Sequence, residues 1–154
     1  MNNREDSLLE IYERIKAKRV SLGLTSFKRT PTEPIVDSDM PCVFMLEGND
    51  SIIEYSSRDS LGYPLRRTLE VTLELVTSNS VDIKSKLQDL RRAVFAERNT
   101  DLTAPAVYNP RLLSTNGNVG FIRESRTIGP TGYGLQDILG VSLVLDLVYT
   151  DAMI

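Results

Sequence analysis

Two long stretches of the chain alternate between apolar and polar residues with a period of two. They run from Leu65 to Thr77 and from Leu139 to Thr150. Because successive side chains of a strand point to opposite faces of a sheet, each stretch predicts a long strand with one buried face. The predicted buried residues are Leu65, Leu69, Val71, Leu73 and Leu75 on the first strand, and Leu139, Val141, Leu143, Leu145, Leu147 and Tyr149 on the second.

Two other stretches have the three- and four-residue spacing of an amphipathic helix. The first runs from about Ser7 to Leu22, where Ser7 and Glu10 form a capping-box pattern and Gly23 follows the last helical residue. The second runs from Asp82 to about Arg98 and carries a basic excess. Its apolar residues are Ile83, Leu87, Leu90 and Val94.

The segment before the first long strand predicts a hairpin. Met40 to Leu46 is an apolar run, Glu47 to Asp50 has the composition of a turn, and Ile52 to Tyr55 has the composition of a second strand. Prolines and small polar residues around this hairpin predict long loops at about 24–39 and 47–64. Long loops without regular structure are uncommon in compact domains and are often functional.

The segment after the second helix predicts further strands. We expect one short strand within 99–114, a tight turn at Asn116 and Gly117, a strand from Asn118 to Ile128 and a loop at about 129–137. This order of elements predicts one α+β domain over residues 1–154. Its mainly antiparallel mixed sheet would carry two helices packed on one face.

Composition limits the classes of function. The chain has 154 residues and a net charge of −3, which argues against a general nucleic-acid binder. Its single cysteine, Cys42, excludes an internal disulfide and favours a reducing compartment. No apolar run reaches the roughly 20 residues that span a bilayer, and the N-terminal residues lack an apolar signal region. We therefore expect a soluble protein made in a cytoplasm, without contact with a membrane.

No pattern in the sequence indicates a catalytic or metal site. The chain has no histidine, so Cys42 has no histidine to activate it and is expected to be buried. Glu70 and Glu74 share a strand face but would stand roughly 13 Å apart, too far to act on one bond. The acids Asp37 and Asp39 lack a calcium-loop pattern around them. We expect no enzyme activity and no cofactor.

Complementary charge suggests an interface between copies. The outer face of the predicted sheet is acidic and the second helix is basic, so the helix or the loops of one copy could cover the sheet face of the next. Two unrelated solvated faces are the alternative. The residues of this hypothetical subunit interface are Glu70, Glu74 and Asp146 on the sheet, and Lys84, Arg91, Arg92 and Arg98 on the helix.

The order of elements also resembles a known family. A capped helix leads to a loop and an apolar strand that starts at Pro41, then to the long strand Arg67-Thr-Leu-Glu-Val-Thr-Leu-Glu-Leu, the second helix and the closing strand Leu145-Asp-Leu-Val-Tyr-Thr-Asp151. This arrangement resembles the tail terminator, or tail completion, proteins of tailed bacteriophages, of which the lambda tail terminator is the type. The resemblance covers nearly the whole chain.

The resemblance implies a structural virion protein that is assembled in the cytoplasm of the bacterial host. Its copies would form a homo-hexameric ring at the head-proximal end of the tail, stop polymerisation of the tail tube and provide the surface for head–tail joining. The implied partners are further copies of the chain, the tail tube protein and a head-completion or neck protein. DNA would only pass through the channel. The family has no catalytic residues to transfer.

Loops would then provide the specific contacts with the tube or the neck. We place these docking loops, as a hypothesis, at Phe27, Arg29, Glu47, Asp50, Arg58, Tyr63 and Tyr133. A further group of basic residues could face a DNA-conducting channel, although salt-bridged surface arginines are the simpler interpretation. This group comprises Arg66, Arg67, Arg123 and Arg126.

Two other functions stay open at this point. One is another neck or head–tail connector subunit, which would differ mainly in its partner. The other is a monomeric α+β domain that binds a small ligand or a peptide, for which an aromatic-lined pocket is expected. The six tyrosines and four phenylalanines are scattered along the chain, which weighs against such a pocket.

Overall fold

A sheet accompanied by helices forms the described part of the protein. The computed structural model describes residues 3–29, 40–55, 64–78, 82–96, 108–114, 117–133 and 135–152. No helix in these ranges has the length and apolar content needed to cross a bilayer. The strands are β1 Ser26–Arg29, β2 Cys42–Tyr55, β3 Pro64–Ser78, β4 Arg111–Ser114, β5 Gly117–Tyr133 and β6 Leu135–Ala152, and the helices are α1 Asn3–Ala17, α2 Arg19–Leu22 and α3 Ile83–Val94.

The strand order across the sheet is β1-β2-β3-β6-β5-β4. All neighbours pair antiparallel except β1 and β2, which are parallel. The centre of the sheet is the pair β3 and β6, whose register runs from Pro64 opposite Ala152 to Ser78 opposite Ile138. The predicted α+β class, with a mainly antiparallel sheet, is confirmed.

The alternation of the two long strands is confirmed where side chains are described. Leu69, Val71, Leu73 and Leu75 of β3 are at most 1% exposed, and the residues between them are half-buried. The predicted face of β6 is equally buried from Val141 to Tyr149. Together with the apolar residues of α1 and α3, these side chains form the main core. Helix α1 and helix α3 therefore lie on the same face of the sheet, as predicted.

The opposite face carries a smaller apolar group. Cys42, Phe44 and Val76 are buried there, with Met40, Leu46 and Ile138 partly buried beside them. The expectation that Cys42 is buried is confirmed, since none of its surface is exposed.

Helix α3 begins where the sequence predicts. The Asp82 carboxylate accepts a hydrogen bond from the Ser85 backbone N–H at 3.2 Å, which satisfies one of the free donors of the first turn. The helix ends at Val94, earlier than predicted. Arg98, the predicted last residue, lies outside the described residues.

Helix α1 begins at Asn3, so the predicted capping box at Ser7 is wrong. Ser7 is buried in the second turn and its hydroxyl donates to the Val119 carbonyl oxygen of β5 at 3.1 Å. The Ser7 hydroxyl therefore makes a tertiary contact with β5, although the local sequence pattern predicts that it caps the helix. The predicted end at Leu22 is confirmed, because Gly23 adopts the left-handed conformation at φ 65°. The predicted single helix is wrong, since the chain turns at Lys18 and α1 and α2 are separate helices.

The predicted hairpin of residues 40–55 is also wrong. Strand β2 is continuous from Cys42 to Tyr55 and pairs with β3 along its length. Between Glu47, opposite Val71, and Asp50, opposite Leu69, β2 advances three residues while β3 advances two. The Gly48 and Asn49 that suggested a turn are therefore absorbed as a bulge in one long strand.

Two other predicted loops are partly strand. Strand β1 lies within 24–39, and β5 and β6 extend into 129–137 until Tyr133 pairs with Leu135. Register shifts after Ile128 and after Gly132 allow β5 to continue through the glycine- and proline-rich segment. The predicted short strand before residue 117 is confirmed as β4. Residues 30–39 and 56–63 lie outside the described residues.

An arginine is buried where α1, α3 and β4 meet. Arg14 is 2% exposed, and its guanidinium donates to the carbonyl oxygens of Val94, Asn109 and Arg111 at 2.9, 2.7 and 2.6 Å. Its Nε also donates to the Glu10 carboxylate at 3.2 Å. One side chain therefore satisfies the C-terminal end of α3 and the chain that leads into β4.

We expect Arg14→Met to destabilise the fold by about 3–5 kcal/mol, because it takes the guanidinium away from the buried Glu10 carboxylate and removes donors from three carbonyl groups. Urea unfolding followed by circular dichroism measures this loss. Arg92→Met is the control, since its side chain is 71% exposed. A loss below about 1 kcal/mol for Arg14→Met would contradict this role.

Gly120 gives a second test of packing between α1 and β5. A Cβ atom at Gly120 would lie 2.7 Å from the Ser7 hydroxyl and 2.9 Å from the Val148 carbonyl oxygen. We expect Gly120→Ala to lower the free energy of unfolding by about 1–3 kcal/mol, because the buried contact has no room for a methyl group. Gly132→Ala, with no atom within 4 Å of the added Cβ, is the matched control on the same strand. Equal stability of the two variants would contradict the close contact.

Candidate functional site

Charged side chains converge where the start of α1 lies over β1, β2 and β3. Helix α1 contributes two of them, β1 one, β2 two and β3 one, and β6 adds a tyrosine. We call this set the α1-end cluster. It comprises Arg4, Glu5, Arg29, Glu47, Asp50, Arg67 and Tyr149.

Two arginines connect the helix and β1 to the acids of β2. Arg4 lies 2.8 Å from the Glu47 carboxylate and 3.2 Å from that of Asp50. Arg29 lies 2.6 Å from Glu5 and 3.6 Å from Glu47. The hydrogen bond from Arg29 holds the pKa of Glu5 below its ordinary value, and burial of the carboxyl opposes this shift. The pairs therefore fix the start of α1 against the sheet.

Asp50 is the centre of the cluster. The Tyr149 hydroxyl donates to its carboxylate at 2.5 Å, and Arg67 lies 3.8 Å from it. Burial raises the pKa of Tyr149, and the hydrogen bond to Asp50 raises it further. Tyr149 is therefore a neutral donor at physiological pH and serves to orient the carboxylate.

The α1-end cluster balances three carboxylates against three arginines, so its charges stabilise one another. Among the described residues, no three His, Cys, Asp or Glu side chains are placed to hold one metal ion. The cluster is therefore a set of ion pairs that holds α1, β1, β2 and β3 in one arrangement. Of its members, sequence reasoning singled out Arg29, Glu47 and Asp50 as docking residues and Arg67 as a channel candidate.

The acids of the outer sheet face have partners within the same chain. Asp146 lies 3.2 Å from Arg123, directly opposite it on β5, and Glu70 lies 3.6 Å from Arg126. Glu74 stands on the same face, opposite Phe44 and Ser142. The charge of Glu70 and Asp146 therefore no longer calls for a second copy, although the interface at this face stays a prediction.

The cations of α3 are also engaged within the chain. Arg91 lies 2.9 Å from Glu124 of β5 and its guanidinium donates to the Thr127 hydroxyl at 3.2 Å. Arg92 lies 3.8 Å from Asp89 on its own helix, and Lys84 is exposed. Arg98 is outside the described residues. The structure thus places the predicted acids and the predicted cations on opposite faces of the sheet.

The predicted docking residues do not share one loop. Phe27 is half-buried in β1 and its ring stacks on that of Tyr12 with centroids 4.8 Å apart. Tyr133 ends β5, and its side chain lies outside the described residues, as do Arg58 and Tyr63 altogether. The docking role of these residues stays a prediction.

Two of the four arginines that could face a channel agree with the simpler interpretation, that of salt-bridged surface residues. Arg123 and Arg126 are salt-bridged surface arginines. Arg66 lies over the Phe121 ring, 5.9 Å from its centroid. Arg67 is on the helix-covered side of the sheet, near Asp50.

Sequence reasoning missed Arg4, Glu5 and Tyr149 as members of the cluster. A signal existed for Tyr149, because it continues the buried face of β6 and a buried tyrosine hydroxyl needs a hydrogen-bond partner. No local signal marks Arg4, since its partners Glu47 and Asp50 are more than forty residues away in the chain.

A groove of about 270 Å³ lies between the α1–α2 turn and α3. Leu22, Ala93 and Ala96 form its apolar part, and Lys18 and Arg92 lie at its rim. None of its lining residues is aromatic, in contrast to the pocket expected of a ligand-binding domain.

Comparison with known proteins gives a likeness of fold. No protein-family model and no curated protein matches the chain by sequence. Among solved structures, the chain is similar to a chain of the virion of a native gene transfer agent (GTA) particle, with a TM-score of 0.52 and 11% sequence identity. The match covers 92% of each chain. At this identity the likeness establishes the shared fold.

We expect Tyr149→Phe to lower the free energy of unfolding by about 1.5–3 kcal/mol, because a buried donor to the Asp50 carboxylate is lost. Tyr108→Phe is the control, since Tyr108 is 73% exposed and stacks on Phe95 through its ring alone. Chemical unfolding of the two variants measures the difference. If both variants matched the parent protein, Asp50 would not depend on this hydrogen bond.

Proposed function

We propose that the protein is a structural subunit of a phage-like virion, and more specifically a tail terminator. The observation that carries this proposal is the likeness of fold to a chain of the gene transfer agent virion over 92% of both chains. The order of elements points the same way, because it resembles that of tail terminator proteins. The proposed place of the protein is the head-proximal end of the tail.

The chemistry of the described surfaces supports a role in assembly. The polar groups of the α1-end cluster are arranged in ion pairs that hold secondary-structure elements together. Arg91 and Glu124 do the same between α3 and β5. A protein that uses its charges in this way presents rigid surfaces to partners, which is what an assembly subunit needs. We propose on the same ground that it is not an enzyme.

A terminator has two physical tasks. One face must reproduce the docking interaction of a tube subunit, and the other must refuse a further tube ring, so specificity rests on complementarity together with unfavourable contacts for the wrong partner. Residues 47–52 of β2 and 123–132 of β5 are exposed and offer backbone and side chains for such contacts. The tail tube protein, a head-completion or neck protein and further copies of the chain are the proposed partners.

A neck or head–tail connector subunit is the second candidate. It rests on the same likeness to a virion chain and differs in the partner that it would meet. A monomeric ligand-binding domain is not favoured by two hollows in the described part of the chain. The groove beside α3 has no aromatic lining, and the hollow that Phe121 and Tyr149 help to line holds about 130 Å³, which is small for a ligand site.

Polymerisation of the tail tube protein from the same particle tests the terminator role. We expect tubes formed with this protein present to be shorter and to carry a cap at one end, because a bound terminator ring blocks the addition of further tube subunits. Negative-stain electron microscopy measures the length distribution and the caps. An unrelated protein of similar size is the control. Unchanged tube lengths without caps would reject the terminator role, and binding to a neck protein would then favour the connector.

A further inference from the structure

Among the described residues, two strands lack a neighbouring strand on one side over part of their length. Strand β1 pairs with β2 only from Cys42 to Met45, so β2 has no neighbour on that side from Leu46 to Tyr55 within the described ranges. Strand β4 pairs with β5 only between Gly117 and Phe121, and the N–H of Ile122 donates a hydrogen bond to the Pro110 carbonyl oxygen. From Arg123 to Thr131, β5 therefore has no described neighbour on that side. We call these segments the β2 edge and the β5 edge.

Most residues of the two edges whose side chains are described are exposed to solvent. All residues from Arg123 to Thr131 are exposed, and so are those from Glu47 to Ile52. A row of solvent-exposed backbone N–H and C=O groups is a template for pairing with another strand.

The β2 edge lies at the lateral border of the sheet next to β1, and the β5 edge lies at the other lateral border, next to β4. The two edges also lie towards opposite ends of the strands. The β2 edge begins at the level of Thr72 on β3 and continues towards Pro64. The β5 edge begins at the level of Asp146 on β6 and continues towards Gly140, which lies opposite Val76. Strand β1 covers one corner of the sheet and β4 covers the diagonally opposite corner.

We propose that the β5 edge of one copy pairs antiparallel with the β2 edge of a second copy and so continues the sheet from chain to chain. Both strands neighbour the central pair, β2 antiparallel to β3 and β5 antiparallel to β6, so β2 and β5 run in opposite directions. Two copies in the same orientation therefore bring these edges together antiparallel. This pairing supplies the contact for the ring in the proposed function, but it does not depend on the tail role.

The lengths of the two edges agree. The β5 edge has nine residues from Arg123 to Thr131 and the β2 edge has ten from Leu46 to Tyr55, so each could pair over roughly 30 Å. The second copy would be displaced along the strands, with its β2 edge lying in the space beyond β4. Its β1 would lie beyond the end of β5. Strands β1 and β4 thus act as stops that limit the register.

A displacement of this kind is what closure of a sheet requires. Strands in a closed barrel tilt against the axis because each neighbour is staggered along the strand direction. A head-to-tail contact repeated with a constant rotation gives a ring when the rotation closes. The diagonal position of the two edges therefore fits a ring of tilted strands.

Charge favours this pair of edges. The β2 edge contains the acids Glu47, Asp50 and Glu54, whereas the β5 edge contains Arg123 and Arg126 beside one acid. The charged residues Glu47, Asp50, Arg123 and Arg126 already have partners within the chain, so hydrogen bonds between backbone groups would supply the main contact. The role of charge is to disfavour the pairing of two acidic β2 edges.

The register of β5 indicates which N–H groups face the second copy. The Ile122 N–H donates to the Pro110 carbonyl oxygen, so it points away from β6. Because direction alternates along a strand and one extra residue lies between Glu124 and Arg126, Thr127 also points its N–H away from β6. Thr127→Pro removes this donor, whereas Thr127→Ala keeps it.

Disulfide cross-linking tests the proposal directly. Ser51 of the β2 edge lies on the sheet face opposite to the helices, as do Arg126 and Ile128 of the β5 edge. We expect Ser51→Cys mixed with Arg126→Cys or with Ile128→Cys to form a cross-linked dimer on mild oxidation. The native Cys42 is buried, and Ser85→Cys on exposed α3 is the control that should not cross-link with Ser51→Cys.

The outcome separates three arrangements of the two edges. A cross-link in at least one of the two mixtures, and none in a sample that contains only the Ser51→Cys variant, supports head-to-tail pairing. A cross-link in Ser51→Cys alone overturns it in favour of a two-fold contact. No cross-link in any mixture, with the parent protein monomeric by light scattering at every concentration, also overturns it and leaves an extended segment of another protein as the occupant.

Light scattering on the Thr127 variants gives a second readout. We expect the parent protein to form a species near six times 17.2 kDa. Thr127→Pro should weaken self-association roughly tenfold per contact, through the lost hydrogen bond, and Thr127→Ala should not. If Thr127→Pro does not fold, the cross-linking result decides. If the parent protein forms rings but does not cap tail tubes, the terminator role is rejected and the proposed edge pairing still holds.

Discussion

The buried guanidinium of Arg14 joins parts of the chain that the sheet alone would not hold. The end of a helix leaves carbonyl groups without partners, and burial of such groups is costly. Arg14 supplies donors to Val94 at the end of α3 and to Asn109 and Arg111 before β4, while Glu10 balances its charge. This buried contact and the core residues Leu8, Ile11 and Ile15 together hold α1 over the sheet.

The sheet was the most predictable part of the fold. Apolar and polar residues alternate strictly along β3 and β6, and this alternation predicts that one face of each strand is buried, because successive side chains of a strand point to opposite faces. Helix bounds were less predictable. The pattern of Ser7 and Glu10 satisfies a local rule for a cap, but the contact of Ser7 with Val119 beside Gly120 needs the fold to be known.

The candidate site shows the same division. Charges on β3, β5 and α3 could be assigned to faces from the sequence, whereas their partners could not. Glu70 and Asp146 were matched in the prediction with the cations of α3 in a second copy, whereas within the chain the arginines of β5 stand next to them. Ion pairs between strands depend on strand order, and a composition that suits a turn, such as that of Gly48, does not reveal that β2 continues.

Internal pairing of the charges changes where a partner should be sought. Surface ion pairs that are satisfied within one chain contribute little to association, because a partner would have to replace contacts that already exist. The backbone of a free strand edge has no such competitor except water. A sheet whose core needs only alternation tolerates wide change of sequence, in keeping with the shared fold at 11% identity. Edges defined by backbone geometry would persist through the same change, so strand order constrains assembly more than any single charged residue does.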